Sequence, residues 1–140
     1  MKYFIKLNLV SIIYACIALI PIQLIGNVYR INRLTGCKIA TINTITAVVI
    51  IIEFIVGTIL ILILTKKWLK NRKANFWTMI LWVPYFILFT YITASLFPII
   101  NEGDSPNPIS GFFAIGLLML FPFYIYSINF ISLALKKIEV

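Results

Sequence analysis

Four long apolar runs alternate with short polar connections along this chain, at about residues 7–29, 39–65, 77–100 and 111–135. A helix crossing a hydrocarbon core of roughly 30 Å needs about 20 consecutive apolar residues, and each run meets that length. The pattern predicts an all-α fold, an integral membrane bundle of four transmembrane helices that forms a single domain over residues 1–140. The short connections predict that consecutive helices pack antiparallel. No internal repeat, low-complexity linker or aqueous domain interrupts the pattern.

Composition supports lipid as the solvent. Hydrophobic residues make up 62% of the chain and charged residues 11%, against roughly 45–50% and 25% in soluble domains. The net charge of +8 is not gathered into the broad stripe of a nucleic-acid binder; it sits between the apolar runs, where Lys and Arg orient a membrane protein. Lys2, Lys6, Lys66, Lys67, Lys70, Arg72, Lys73, Lys136 and Lys137 fall on one side of a four-span protein, and only Arg30, Arg33 and Lys38 on the other. Both termini are therefore expected in the cytoplasm. The Ile- and Lys-rich composition points to a low-GC bacterium, and so to a multi-pass protein of the bacterial cytoplasmic membrane.

Trp68 and Trp77 flank the second connection, and indole rings favour the membrane interface. With Lys66, Lys67, Lys70, Arg72 and Lys73, this segment reads as a clamp on anionic lipid, where each charge is worth about 1 kcal/mol near the surface. Leu34-Thr35-Gly36-Cys37 spells a lipoprotein-type box. Arg30 and Arg33 separate it from the apolar run, however, and a second run begins at once after it, so the first helix is expected to stay as an uncleaved anchor. Cys16 and Cys37 should lie at different depths and remain unpaired.

Glu53 breaks the pattern. It lies 14 residues from Ile39 and 12 from Thr65, near half depth at 1.5 Å rise per residue. A central acidic residue costs about 2.5–3.5 kcal/mol on insertion scales, and each Leu, Ile, Phe or Val returns about 0.3–0.6 kcal/mol. The seventeen such residues of this run outweigh it. Asn43, Thr46, Ile50, Glu53 and Gly57 follow steps of three or four and share one helix face. Polar and small residues are what membrane helices turn toward each other, so Glu53 should face a neighbour or a cavity. With no central cation, desolvation favours the neutral acid. Tyr14, Tyr85, Tyr91, Tyr124 and Tyr126, with Thr90 and Thr93, fall near mid-depth and Asn129 lies toward the cytoplasmic half; the Glu53 carboxyl is expected to hydrogen-bond one or more of these groups.

Other features have simpler readings. Pro21, Pro84, Pro98 and Pro122 fall within runs and can kink them. Gly57, Gly116 and the Ser11–Ala15–Ala18 stripe allow close helix approach. The third connection, NEGDSPNPIS, reads as a solvated turn. With no histidine, a single aspartate and no glycine-rich phosphate loop, the chain lacks the sets used by serine or cysteine nucleophiles, aspartate pairs and phosphate-binding enzymes. No cofactor and no metal site is expected. Small multidrug transporters are similar in size and four-helix layout alone, and their membrane glutamate lies in the first helix rather than the second. The expected function is a non-enzymatic accessory, regulatory or immunity subunit that touches a larger membrane protein through its helices, or associates with itself. The alternative is a small oligomeric proton- or cation-coupled transporter or channel using Glu53.

Overall fold

The computed structural model describes residues 2–70 and 72–138, with side chains through Leu135. These residues hold five α-helices and no strand: α1 (Lys2–Gly26), α2 (Val28–Thr35), α3 (Ile39–Lys67), α4 (Thr78–Leu96) and α5 (Pro108–Ile138). Short 3-10 turns at Lys73–Trp77 and Glu102–Asp104 precede α4 and α5. Four of the helices, α1, α3, α4 with its preceding turn, and α5, are long and apolar enough to cross a membrane.

Consecutive helices do not all pack on one another as expected: α3 and α4 share no substantial interface among the described residues. α1 is the hub, packing on α3, α4 and α5, and its broadest interface is with α4. Of its most apolar stretch, 39% is buried, against 11%, 6% and 11% for the other three spans in chain order. The expected antiparallel contact holds between α1 and α3, where Ile17 meets Gly57. α1 and α4 instead run parallel: Tyr3 Oη donates to Asn75 Oδ1 at 2.8 Å, and Tyr85 Oη donates to Asn8 Oδ1 at 2.6 Å, both pairings climbing the two segments in the same direction. The small residues explain why α1 sits centrally. Ser11, Ala15 and Ala18 are fully buried, and side chains this short let the neighbouring backbones close in. Gly116 does not act this way, because nothing lies within 4 Å of where its Cβ would stand.

An aromatic cluster fills the middle. Tyr14 meets Phe121 and Tyr124 edge-on at 6.3 and 6.2 Å, and Trp82 stacks obliquely on Phe121 at 4.8 Å. Such pairs add about 0.5–1.5 kcal/mol beyond area burial.

Two element ends depart from the sequence expectation. The first apolar run breaks at Asn27, and what reads as a polar connection is a second helix, α2, closed by Gly36 at φ 70° with its N–H bonded to Asn32 O at 2.8 Å. Gly36 thus serves as a left-handed helix cap. The third span ends at Leu96, not residue 100: Phe97 precedes Pro98, whose ring disfavours helical geometry in the residue before it, and Phe97 turns to φ −128°, ψ 62°. Pro98 therefore lies beyond the helix, whereas Pro21, Pro84 and Pro122 are inside theirs.

Candidate functional site

The face predicted on α3 is its packed face. Ile42, Thr46, Gly57, Ile61 and Thr65 are buried along it, and Ile50 and Glu53 are half-buried between them. Asn43, in its second turn, is exposed and lines a cleft. Glu53 comes within electrostatic reach of Cys16 on α1 and Tyr124 on α5, which places it toward the hub rather than away from the bundle.

The expected tyrosine hydrogen bonds to Glu53 do not form. Both carboxyl oxygens are buried and neither has a hydrogen-bond partner. Tyr14 Oη is likewise buried and unpaired. Tyr124 Oη pairs with Thr58 Oγ1 at 2.8 Å, five residues beyond Glu53 on the same helix, and Tyr85 is taken by Asn8. Tyr91 and Tyr126 are 71% and 48% exposed and face outward. Thr93 bonds back to Phe89 O, Thr90 Oγ1 is unpaired, and Asn129 Nδ2 donates to Thr78 Oγ1 at 3.1 Å. Depth alone brings these groups level with Glu53; their direction around each helix takes them elsewhere.

A cleft of about 640 Å³ opens at the end of the bundle where α1 leads into α2 and where α3 and α5 begin. Tyr29, Asn43, Thr46, Asn107 and Ser110 supply its polar wall, and Ile50 and Ile51 lie at its deepest level along α3. A second, almost wholly apolar groove of about 420 Å³ runs between Phe54 of α3 and the Phe113–Tyr124 face of α5.

The rim beside the cleft carries an ion-pair clasp where the sequence predicts a solvated turn. Asp104 is 3% exposed. Arg33 Nε and Nη2 donate to its two oxygens at 2.8 Å each, and Arg30 Nε stands 3.6 Å away. Arg30 also donates to the carbonyls of Phe97 and Pro98 at 3.1 and 2.9 Å. The Arg33 hydrogen bonds hold the Asp104 carboxyl below the ordinary carboxylate range, and the same bonds raise Arg33. The signal was present in the spacing: Arg30 and Arg33 sit three apart on one helix face, opposite the chain's only aspartate.

At the other end, Lys66 and Lys67 close α3, Leu69 is fully buried, and Lys70 takes φ 52°. The Arg72 guanidinium lies 5.1 Å from the Tyr3 ring centroid, and Lys73 opens the following turn. Trp68 and Trp77 are 37% and 60% exposed beside this basic edge. Lys136 and Lys137 belong to α5, but their side chains lie outside the described residues. Cys16 and Cys37 are both free. The described residues bring together no group of three metal-ligating side chains.

No family model, no curated protein and no solved structure matches this chain.

Proposed function

We propose that this chain is a multi-pass protein of a bacterial cytoplasmic membrane, serving as a non-enzymatic accessory, regulatory or immunity subunit that works by lateral helix contact with a larger membrane protein. The observation that carries this reading is the uneven burial of its spans. α1 has the largest share of buried residues, whereas few residues of α3, α4 and α5 are fully buried, and side chains such as Ile51, Ile87 and Phe123 lie open to other hydrocarbon or other helices. Connections this short leave little room for function outside the membrane, so the surface the chain offers is its lateral one. The charge distribution supports an orientation with the Lys66–Lys73 edge in the cytoplasm, against anionic lipid. Arg30 and Arg33 on the opposite end are engaged by Asp104 and by carbonyls, which makes their place there intelligible.

The test is affinity purification in mild detergent followed by mass spectrometry. A larger membrane protein retained in stoichiometric amount is the expected result. Recovery of the chain alone, or only with itself, overturns the reading.

The enclosed, partnerless oxygens of Glu53 favour a second reading, a small oligomeric transporter or channel coupled to protons or cations. Its signature is flux into liposomes that Glu53→Gln abolishes.

A further inference from the structure

Glu53 is the least explained group in the molecule, because nearly all buried polar atoms in proteins have a hydrogen-bond partner and neither of its oxygens has one. An ionised carboxylate in that position would need a counter-charge, and a group without one takes up a proton instead. The cleft leads toward it. Asn43, Thr46, Ile50 and Glu53 succeed one another down a single face of α3, and the first three line the cleft while Glu53 does not. The side chains of Asn43 and Thr46 make no hydrogen bond among the described residues. The cleft's other polar groups are bonded to each other, Ser110 Oγ to Asn107 O at 2.6 Å and Asn107 Nδ2 to Tyr29 Oη at 3.4 Å. Polar groups unbonded within the chain and open to the cleft therefore lie on the α3 wall, and the line they begin ends at Ile50, about 4.5 Å of helix rise short of Glu53.

We propose that this cleft is the aqueous entrance to a one-sided proton-binding site at Glu53, with Ile50 as the hydrophobic gate between them. An apolar constriction of this kind passes or excludes water by wetting and dewetting. When it wets, a hydronium ion in the cleft transfers its proton to one Glu53 oxygen, forming an O–H bond and leaving water; release is the reverse, with water as acceptor. Few other groups bear on this exchange. Cys16 of α1 and Tyr124 of α5 lie within electrostatic reach of Glu53, and the buried, unpaired hydroxyl of Tyr14 on α1 belongs to a ring that meets Tyr124 edge-on. α2 contributes Arg30 and Arg33 at the rim, both drawn to Asp104. The inference deepens the second reading above, and its test measures proton access rather than transport, so each can fail while the other stands.

The experiment is infrared difference spectroscopy of the full chain in sealed vesicles. Orientation is assigned by labelling Cys37, which is exposed at the cleft end, with an impermeant maleimide. The carboxyl C=O band of the protonated acid should follow pH on the Cys37 side, ignore pH on the other side, and vanish in Glu53→Gln. Ile50→Ala should speed the exchange by about tenfold, a modest change in barrier, and Thr46→Trp should slow it. A band that responds from the opposite side overturns the proposal, as does one unchanged in both the Ile50 and Thr46 variants. So does a spectrum that follows sodium at fixed pH. Glu53→Asp keeps the proposal testable if the Gln variant misfolds, since it should retain a displaced band.

Discussion

A Cβ added at Gly57 would come within 2.6 Å of Cδ1 and 3.0 Å of Cγ1 of Ile17, so the residue sets how near α3 lies to α1. Ile17 is itself buried and cannot swing out freely. Gly57→Ala should cost about 1–3 kcal/mol of stability through overpacking, and Ile17→Ala in the same chain should recover part of it; a double-mutant cycle in reversible detergent unfolding measures the coupling. Glu53 calls for the opposite expectation. Glu53→Gln should fold, and Glu53→Leu should gain about 1–3 kcal/mol by removing a buried group without a partner. A destabilised Leu variant in the same assay would mean the carboxyl has a structural role that its unpaired oxygens do not reveal. The buried places of Thr46 and Gly57 were legible in the sequence because helical period alone fixes which residues share a face. The partners of Glu53 were not, since depth along a span says nothing about direction around it, and the Tyr85 hydroxyl is taken by Asn8 of α1.

α2 and the end of α4 form one outer unit. Arg30 caps the carbonyls of Phe97 and Pro98, and Arg33 holds Asp104. Arg30→Ala should speed amide hydrogen exchange in α2 and the last turn of α4 while leaving the middle of α1 unchanged. Gly36→Ala meets open space, so its cost, about 1–2 kcal/mol, should come from left-handed backbone alone; thermal unfolding of the two chains side by side measures it. The clasp also sets a pH dependence. Because Asp104 is held below its ordinary range by Arg33, its contribution is fully present above the unfolded carboxyl value of about 3.9 and is lost as pH falls through the lower, folded value. Acidification below that range should loosen α2 in the wild type, and Asp104→Asn should lack the step, already loose at neutral pH. The helix α2 is hard to see in the sequence because Arg30, Arg33 and Lys38 read equally well as the basic residues of a polar connection. The Gly36 cap and the three-residue Arg spacing are the marks of a short amphipathic helix.

Across the whole molecule, the four long apolar helices were legible because span length and composition are carried by single segments. Their arrangement depends on which faces are small, and so was not. Ser11, Ala15 and Ala18 draw three neighbours onto α1, and the consequence is that few residues of the other three spans are fully buried. The same arrangement separates the ends by charge: the Lys66–Lys73 edge carries the excess, while the cleft end pairs Arg30 and Arg33 with Asp104. The proposed function and the access route to Glu53 both require that these ends lie on opposite sides of a bilayer. The most direct measurement is impermeant-maleimide labelling of single cysteines in intact and permeabilised cells, at native Cys37, at Asn107→Cys, at Lys67→Cys and Lys73→Cys, and at Glu53→Cys. The account predicts that Cys37 and Asn107→Cys react in intact cells, that Lys67→Cys and Lys73→Cys react only after permeabilisation, and that Glu53→Cys reacts in neither. Equal labelling of all five positions in intact cells would contradict it, as would labelling of both ends from the same side.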